Sequence, residues 1–146
     1  MASDDVLLRR EGAPLGRADV THRGRVGTIV AVIAVLTIVS GAVQMAWPGF
    51  ILGLVGAESD ATSRHFFGIV GMFMVLFGGL ALHGVRVSSL PALIWSGLQK
   101  AGAVAAVLLG IRHGIFSLAA LPIAGFDFLS ALFLAAYSWR VAGSDE

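Results

Sequence analysis

Four long stretches of this chain are almost uninterrupted in their hydrophobic character. They run from about Val26 to Trp47, from Phe66 to Leu82, from Pro91 to Ile111 and from Ile115 to Trp139. An α-helix needs about 20 apolar residues to cross a lipid bilayer. The pattern therefore predicts an all-α protein with four transmembrane helices.

The connections between these stretches predict their arrangement. The link at Arg112–Gly114 is tight and the link at His83–Ser89 is short, so the helices that they join are expected to run antiparallel. The first connection, Pro48–Ser63, is longer and changes character along its length, from PGFILGLVG to AESDATS. We expect its apolar half to lie in the membrane interface or against the helices and its acidic half to be exposed. Together these features predict a four-helix antiparallel bundle.

Composition supports lipid as the solvent. Hydrophobic residues make up 57% of the 146 residues and charged residues only 13%, with a mean hydropathy of +0.87. Soluble domains carry roughly a quarter of charged residues, and a chain this small has too much surface to hide such an apolar excess. The absence of cysteine excludes disulfide, thiolate and cysteine-ligated metal chemistry. The net charge of +1 gives no reason to expect a nucleic-acid partner.

The two ends of the chain differ from the apolar region, residues 26–140. Residues 1–25 contain five arginines and four acidic residues with little apolar periodicity, which predicts a mobile tail. A cleaved signal peptide is the alternative, but the apolar run that follows is longer than the 7–15 residues typical of such signals. We therefore expect an uncleaved first span. Residues 141–146 form a short C-terminal tail.

The arginines are distributed unequally between the two predicted sides of the membrane. Two of them, Arg64 and Arg112, fall on one side, and seven fall on the other: Arg9, Arg10, Arg17, Arg23, Arg25, Arg86 and Arg140. Positive charge near span ends favours the cytoplasmic side. Both termini are therefore predicted to be cytoplasmic in a multi-pass protein of the plasma membrane.

Small residues recur at helical spacing within the spans. In lipid, helices associate through close backbone approach and hydrogen bonds, so such positions predict helix contact faces. Glycine and alanine are also simply common in membrane helices, which is the alternative reading. The positions are Gly68, Gly71, Gly78 and Gly79 in the second span, Gly102, Ala106 and Gly110 in the third, and Ala120, Ala124 and Ala131 in the fourth.

Lys100 is the only lysine of the chain and lies inside the third span. It stands 13 residues before His113 in the turn, and Asp127 stands 14 residues after it, so the two lie at nearly equal depth in a hairpin. A lone charge at the bilayer centre costs about 2.5–3.5 kcal/mol, and such groups usually pair. Three interpretations remain open. They are a structural ion pair, a proton or anion site that includes Gln99, and a lysine that extends to the surface without a partner.

Other polar residues carry weaker signals. Gln44 is predicted to form an interhelical hydrogen bond or to lie at the interface. Pro122 with Gly125 indicates a bend or loosened turn in the fourth helix, and a proline simply tolerated in a membrane helix is the alternative. The histidines His65 and His113, with Glu58 or Asp60, could bind a metal, but their spacing does not require one. The chain has no phosphate-binding loop, nucleophile elbow or HExxH pattern. We therefore assign no catalytic residue, cofactor or metal.

Four short motifs over residues 26–140 resemble the small bacterial membrane proteins of the DoxX-like group and their BphX-like relatives. They are WPGF at the end of the first span, RHFFGIVG at the start of the second, Trp95 with Lys100 in the third, and Asp127 in the fourth. Some members of that group are small subunits, without a cofactor of their own, associated with respiratory or quinone-linked oxidoreductases. The resemblance implies an accessory protein of a bacterial inner membrane and assigns no catalytic residue.

Two functional hypotheses follow. The first is a structural or accessory membrane protein that packs through its glycine and alanine faces against itself or against a larger complex. The second is a small proton- or anion-linked carrier with a midplane site at Lys100, Asp127 and Gln99. No broken helix pair or clear internal repeat favours transport. An enzyme ranks third, because no convergent acid–base set is present.

Overall fold

The computed structural model describes residues 17–143, with side chains from Gly24 onward, and the regular secondary structure of that range consists of helices alone. The all-α prediction is confirmed for this part of the chain. A 3-10 turn at Leu118–Ala120 precedes the last helix. The α-helices are α1 (Arg17–Ala46), α2 (Pro48–Leu54), α3 (Ala61–Val87), α4 (Leu90–Arg112) and α5 (Leu121–Ala142).

Four of these segments are long and apolar enough to cross a membrane, as the sequence predicts. Their mean hydropathies are 2.5 for Gly24–Ala46, 2.0 for Ala61–Val87, 1.5 for Leu90–Arg112 and 1.9 for Leu118–Ala142. Large apolar side chains also cover their outer surfaces, among them Val39, Phe66, Leu76, Leu98 and Leu129. Soluble monomers rarely expose apolar surface on this scale. The helices therefore have the length, composition and exterior of membrane spans.

The helices extend further than the hydrophobic runs that predict them. α1 begins at Arg17, so residues 17–25, assigned above to the tail, are helical, and the rest of that tail lies outside the described residues. α3 begins at Ala61 because Asp60 caps it, its Oδ1 accepting a hydrogen bond from the Ser63 N–H at 2.7 Å. α3 ends at Val87, and the Ser88 that follows is left-handed with φ 54°. Each hydrophobic run stops where polar residues begin, but the helix continues through those polar residues.

The fourth span starts differently from its prediction. Residues after His113 form a turn and the 3-10 segment, so α5 begins at Leu121 rather than near Ile115. Pro122 consequently lies in the first turn of α5, where its missing N–H breaks no internal hydrogen bond. The bend predicted at Pro122 is therefore wrong.

α1 and α3 approach each other through glycine. A Cβ atom added to Gly41 would lie 2.6 Å from the Gly71 carbonyl oxygen, and one added to Gly71 would lie 2.7 Å from that of Gly41. Further along, a Cβ at Gly78 would lie 2.9 Å from the Ala34 oxygen. No real side chain fits at these distances, so this crossing requires glycine. The predicted contact face of the second span is confirmed at Gly71 and Gly78, whereas Gly68 and Gly79 have no neighbour within 4 Å.

The four long helices contact one another as two pairs. α1 packs mainly on α3 and α4 mainly on α5, while contacts of α3 with α4 and of α1 with α5 join the pairs. A cluster of buried apolar side chains fills the space between them, toward the N-terminus of α1 and the C-terminus of α5. It includes Val30, Ala34, Ala81, Leu93, Leu134, Tyr137 and Val141.

The long first connection folds back against the helices. Its apolar half forms α2, and Leu52 and Val55 are buried with 3% exposure each, whereas Glu58 and Asp60 are exposed. The Val55 carbonyl oxygen accepts hydrogen bonds from the Ser117 N–H at 2.8 Å and from Ser117 Oγ at 3.0 Å. The connection is thus tied to the turn between α4 and α5. Its apolar half packs against the protein and its acidic half is exposed, as predicted.

The small-residue faces of the last two long helices behave differently. Ala120, at the end of the 3-10 segment, and Ala124 in α5 are buried. In α4, Gly110 lies against the Phe116 ring, but Gly102 and Ala106 are exposed, and Gly102 has no neighbour within 4 Å. The prediction that Gly102 and Ala106 form a contact within this chain is therefore wrong. At 100° per residue, Gly102 lies about 200° around the helix from the buried Lys100 and must face outward.

Candidate functional site: a buried ion pair between two helices

Lys100 lies in the middle of α4 and turns inward. The residue is 3% exposed, and Ser96 and Leu93, one and two turns earlier on the same face, are also buried. This places the ammonium group between the helices instead of at the membrane surface. The interpretation in which Lys100 extends to the surface without a partner is therefore wrong.

Asp127 faces Lys100 from the second turn of α5. The Lys100 Nζ donates a hydrogen bond to Asp127 Oδ1 at 2.6 Å, and the two side chains are only 4% and 8% exposed. The contact predicted from equal depth in the hairpin is thus formed. A charge-assisted hydrogen bond of this length is among the stronger kinds in proteins.

An aromatic ring provides a second favourable contact for the lysine. Its Nζ lies 5.1 Å from the centre of the Phe126 ring, within the range of a cation–π interaction. Phe126 precedes Asp127 in α5, so one turn of this helix supplies both the carboxylate and the ring. The local sequence Phe126-Asp127 therefore compensates the buried ammonium charge in two ways.

A small cavity adjoins the ion pair on the side of α1 and α3. Its volume is about 10 Å³, and its wall includes Gln99, Lys100, Ser96, Thr37 and Gly78. That volume is roughly the space of one water molecule. The site has room for a water, but not for a solute of several heavy atoms.

Gln99 contributes the one polar side-chain atom that is buried without a partner among the described residues, its Oε1. Buried polar atoms are nearly always hydrogen-bonded, to protein or to water. Lys100 has three N–H donors, of which the Asp127 hydrogen bond uses one. Gln99 and Lys100 thus bring an acceptor and spare donors to the wall of the same cavity, which completes the group of three residues singled out by the sequence.

Two hydroxyl groups of the cavity wall were not predicted as part of the site. Thr37 Oγ1 donates to the Ile33 carbonyl oxygen at 2.9 Å, and Ser96 Oγ donates to that of Ala92 at 2.8 Å. Both acceptors lie one turn earlier in the same helix. Each hydroxyl is therefore satisfied locally, and the residue can occupy an apolar position of the sequence pattern. The spacing of Ser96 four residues before Lys100 was the available signal, since such residues share a helix face.

The other weakly signalled residues are also placed by the structure. Gln44 Nε2 donates to the Phe67 carbonyl oxygen at 2.8 Å, which confirms the predicted interhelical hydrogen bond between α1 and α3. No three potential metal-ligating side chains come together within the part of the chain described. His65 and His113 are exposed at span ends. The geometry therefore gives no support to the metal-binding alternative.

Comparisons with protein-family profiles, with curated proteins and with solved structures gave no match. The class of protein is defined by the four membrane-length helices and by the ion pair between α4 and α5. A function for the chain has to be drawn from these residues.

Proposed function

We propose that this chain is a structural or accessory protein of a bacterial plasma membrane. Its four long helices form an antiparallel bundle there, with both termini in the cytoplasm. The apolar exterior of the helices and the excess of arginine on one side support this arrangement. The resemblance to the DoxX-like group points to the same accessory class.

The observation that carries the proposal is the outward position of Gly102 and Ala106 on α4. The two are spaced by four residues, and a Cβ added to Gly102 would meet no atom within 4 Å beyond its adjacent residues and the backbone of its own helix. A smooth surface of this kind lets a second helix approach closely, which is the usual basis of helix association in lipid. We infer that this face of α4 contacts another membrane helix, in a second copy or in a larger complex.

The ion pair fits the same role. Its charges are buried and paired, and the adjoining cavity of about 10 Å³ has no room for a transported solute. In this role the Lys100–Asp127 pair fixes α4 against α5, and so holds the outward face of α4 in a constant position.

The proposal predicts that leucine at both Gly102 and Ala106 disrupts association without unfolding the chain. The full-length protein and the double variant would be purified in mild detergent, and their mass and co-purifying partners measured. Gly125→Leu is the matched control, because Gly125 is also exposed, on α5, with nothing within 4 Å. We expect the G102L/A106L protein to lose the complex and to keep its melting temperature. An equal assembly state for wild type, variant and control would contradict the proposal.

A proton-linked carrier is the second candidate, and the unpartnered Gln99 Oε1 beside the ion pair favours it. A water at this point would link the Gln99 oxygen with the Lys100–Asp127 pair. A cavity of about 10 Å³ has room for one proton-carrying water but not for an anion of several atoms. Proton flux into liposomes that contain the wild-type protein, and its loss in the Asp127→Asn variant, would establish this function. Equal flux in wild-type and empty liposomes would exclude it.

A further inference from the structure

An open groove lies between the end of α1 and the start of α3, and it shares no lining residue with the cavity beside the ion pair. Its volume is about 490 Å³, which is within the range of small-molecule sites in proteins. Arg64 and His65 line it in the first turn of α3. Apolar residues from both helices line the remainder, chiefly Met45, Ile69 and Met72.

The groove changes from cationic to apolar along one helix face. Arg64, Gly68 and Met72 follow one another at intervals of four residues, so they lie in a row along α3. At a rise of 1.5 Å per residue this row extends about 12 Å from the span end into the membrane region. A Cβ added to Gly68 would meet no atom within 4 Å beyond its adjacent residues and the backbone of its own helix, which leaves the row open in its middle. A charged end and an apolar slot of this orientation match a phospholipid, with its headgroup outward and one acyl chain inward.

Arg64 has hydrogen-bonding capacity directed to no protein group. Its Nε donates to the Asp60 carbonyl oxygen at 3.2 Å, and its terminal nitrogens form no hydrogen bond or ion pair with the residues that the structure describes. A guanidinium group binds phosphate oxygens with two parallel N–H donors. The phosphate of a lipid headgroup is the natural acceptor at this depth.

The surroundings of Arg64 also carry negative charge. Asp60 and Glu58 lie on the loop that leads into α3, and both are exposed. The Ser63 N–H lowers the pKa of the Asp60 carboxyl group, and the Arg64 charge contributes a smaller lowering, so this carboxylate is ionised and close to the guanidinium. Asp60 lies one turn before Arg64, so a purely anionic headgroup would meet this carboxylate, whereas a zwitterionic one offers its phosphate to Arg64 and its ammonium to Asp60.

We propose that the groove between α1 and α3 binds one phospholipid with a primary-amine headgroup. Arg64 binds its phosphate, the Asp60 carboxylate accepts hydrogen bonds from its ammonium group, and an acyl chain lies along Gly68 and Met72. A primary amine keeps N–H donors for this carboxylate, which a quaternary amine lacks. The site is independent of the role assigned to α4.

The test measures lipid binding by the full-length protein in mild detergent, by native mass spectrometry with added phosphatidylethanolamine. Phosphatidylglycerol and phosphatidylcholine with the same acyl chains serve as comparison lipids, and glycerophosphoethanolamine tests the headgroup without chains. We expect phosphatidylethanolamine to bind several-fold more tightly than either comparison lipid. Tighter binding of phosphatidylglycerol, or equal binding of glycerophosphoethanolamine, would overturn the assignment.

Two pairs of variants locate the site. Arg64→Gln should weaken phosphatidylethanolamine binding about tenfold or more, because a charge-assisted hydrogen bond is lost, and Arg64→Lys should retain part of the affinity. Arg112→Gln, at the exposed end of α4, should have no effect. Gly68→Leu should close the slot, whereas Gly79→Leu, on the same helix and equally free of neighbours, should not. Equal affinities within both pairs would overturn the proposal.

Discussion

At the residue scale, Lys100 illustrates what one charge demands of its neighbours in a membrane helix. Lys100 has an acidic partner at the same depth and an aromatic ring beside it, and nearly all of its surface is buried. Removal of one partner leaves the other charge buried and uncompensated, which is more damaging than removal of both. This asymmetry makes the pair open to a double-mutant test.

Lys100→Met and Asp127→Leu should each destabilise the protein, and the double variant should recover much of the loss. Interactions between polar residues in membrane proteins couple with about 1 kcal/mol, so a coupling of that order is expected. Unfolding in detergent measures it, and the phenotype of a deletion strain complemented with each variant is followed in parallel. Strictly additive losses of stability would show that the pair does not contribute as a pair. Stability recovered without the phenotype would favour the carrier over the structural role.

The contact between Lys100 and Asp127 could be predicted by counting residues from His113, and it forms although α5 begins only at Leu121, later than the count assumed. The cavity beside them could not. Thr37 belongs to α1, and nothing in the spacing of residues specifies which side of α1 will face Lys100. The unpartnered Gln99 oxygen is likewise a property of the packed helices and not of the sequence pattern.

At the scale of the element, glycine has two distinct uses in these helices. Gly41 and Gly71 allow two backbones to touch, whereas Gly68, Gly79 and Gly102 leave open surface. Sequence spacing does not separate these uses unless a residue of known orientation is included. For α4 that residue is Lys100, and its inward direction already implies that Gly102 faces out.

The first use predicts a sharp difference between neighbouring glycines of α3. Gly71→Ala should destabilise the protein by about 1–3 kcal/mol, because the new Cβ would overlap the Gly41 carbonyl group. Gly79→Ala should be neutral or slightly stabilising, since alanine has the higher helix propensity. Thermal unfolding of the purified proteins provides the comparison. Equal melting temperatures for the two variants would mean that α1 and α3 lie further apart than described.

At the scale of the whole molecule, the predicted orientation in the membrane rests on the distribution of arginine and not on packing. Seven arginines lie on the predicted cytoplasmic side and two on the other. The same prediction puts the groove at Arg64 in the outer leaflet. It puts the N-terminus of α1 and the C-terminus of α5 on the cytoplasmic side. Packing of the helices is compatible with either orientation, so charge alone decides it.

A reporter that is active only outside the cytoplasm tests this orientation. Fused to the C-terminus, it should give no signal, because both termini are predicted to be cytoplasmic. A cysteine introduced at Ser59, in the exposed acidic loop, should react with a membrane-impermeant reagent added from outside, and one at Ser88 should not. The chain has no native cysteine to interfere. An active C-terminal fusion would reverse the predicted topology.

The cluster of buried apolar side chains near one end of the molecule has a consequence for local opening. Val30, Leu93 and Leu134 lie in that cluster and are almost completely enclosed. The other end is closed by α2 and by the hydrogen bonds of Ser117 to the Val55 carbonyl oxygen. Segments with few buried contacts open with less free energy than a packed core does. We therefore expect the turn around Ser117 to open before the cluster, which should hold the helices together until global unfolding.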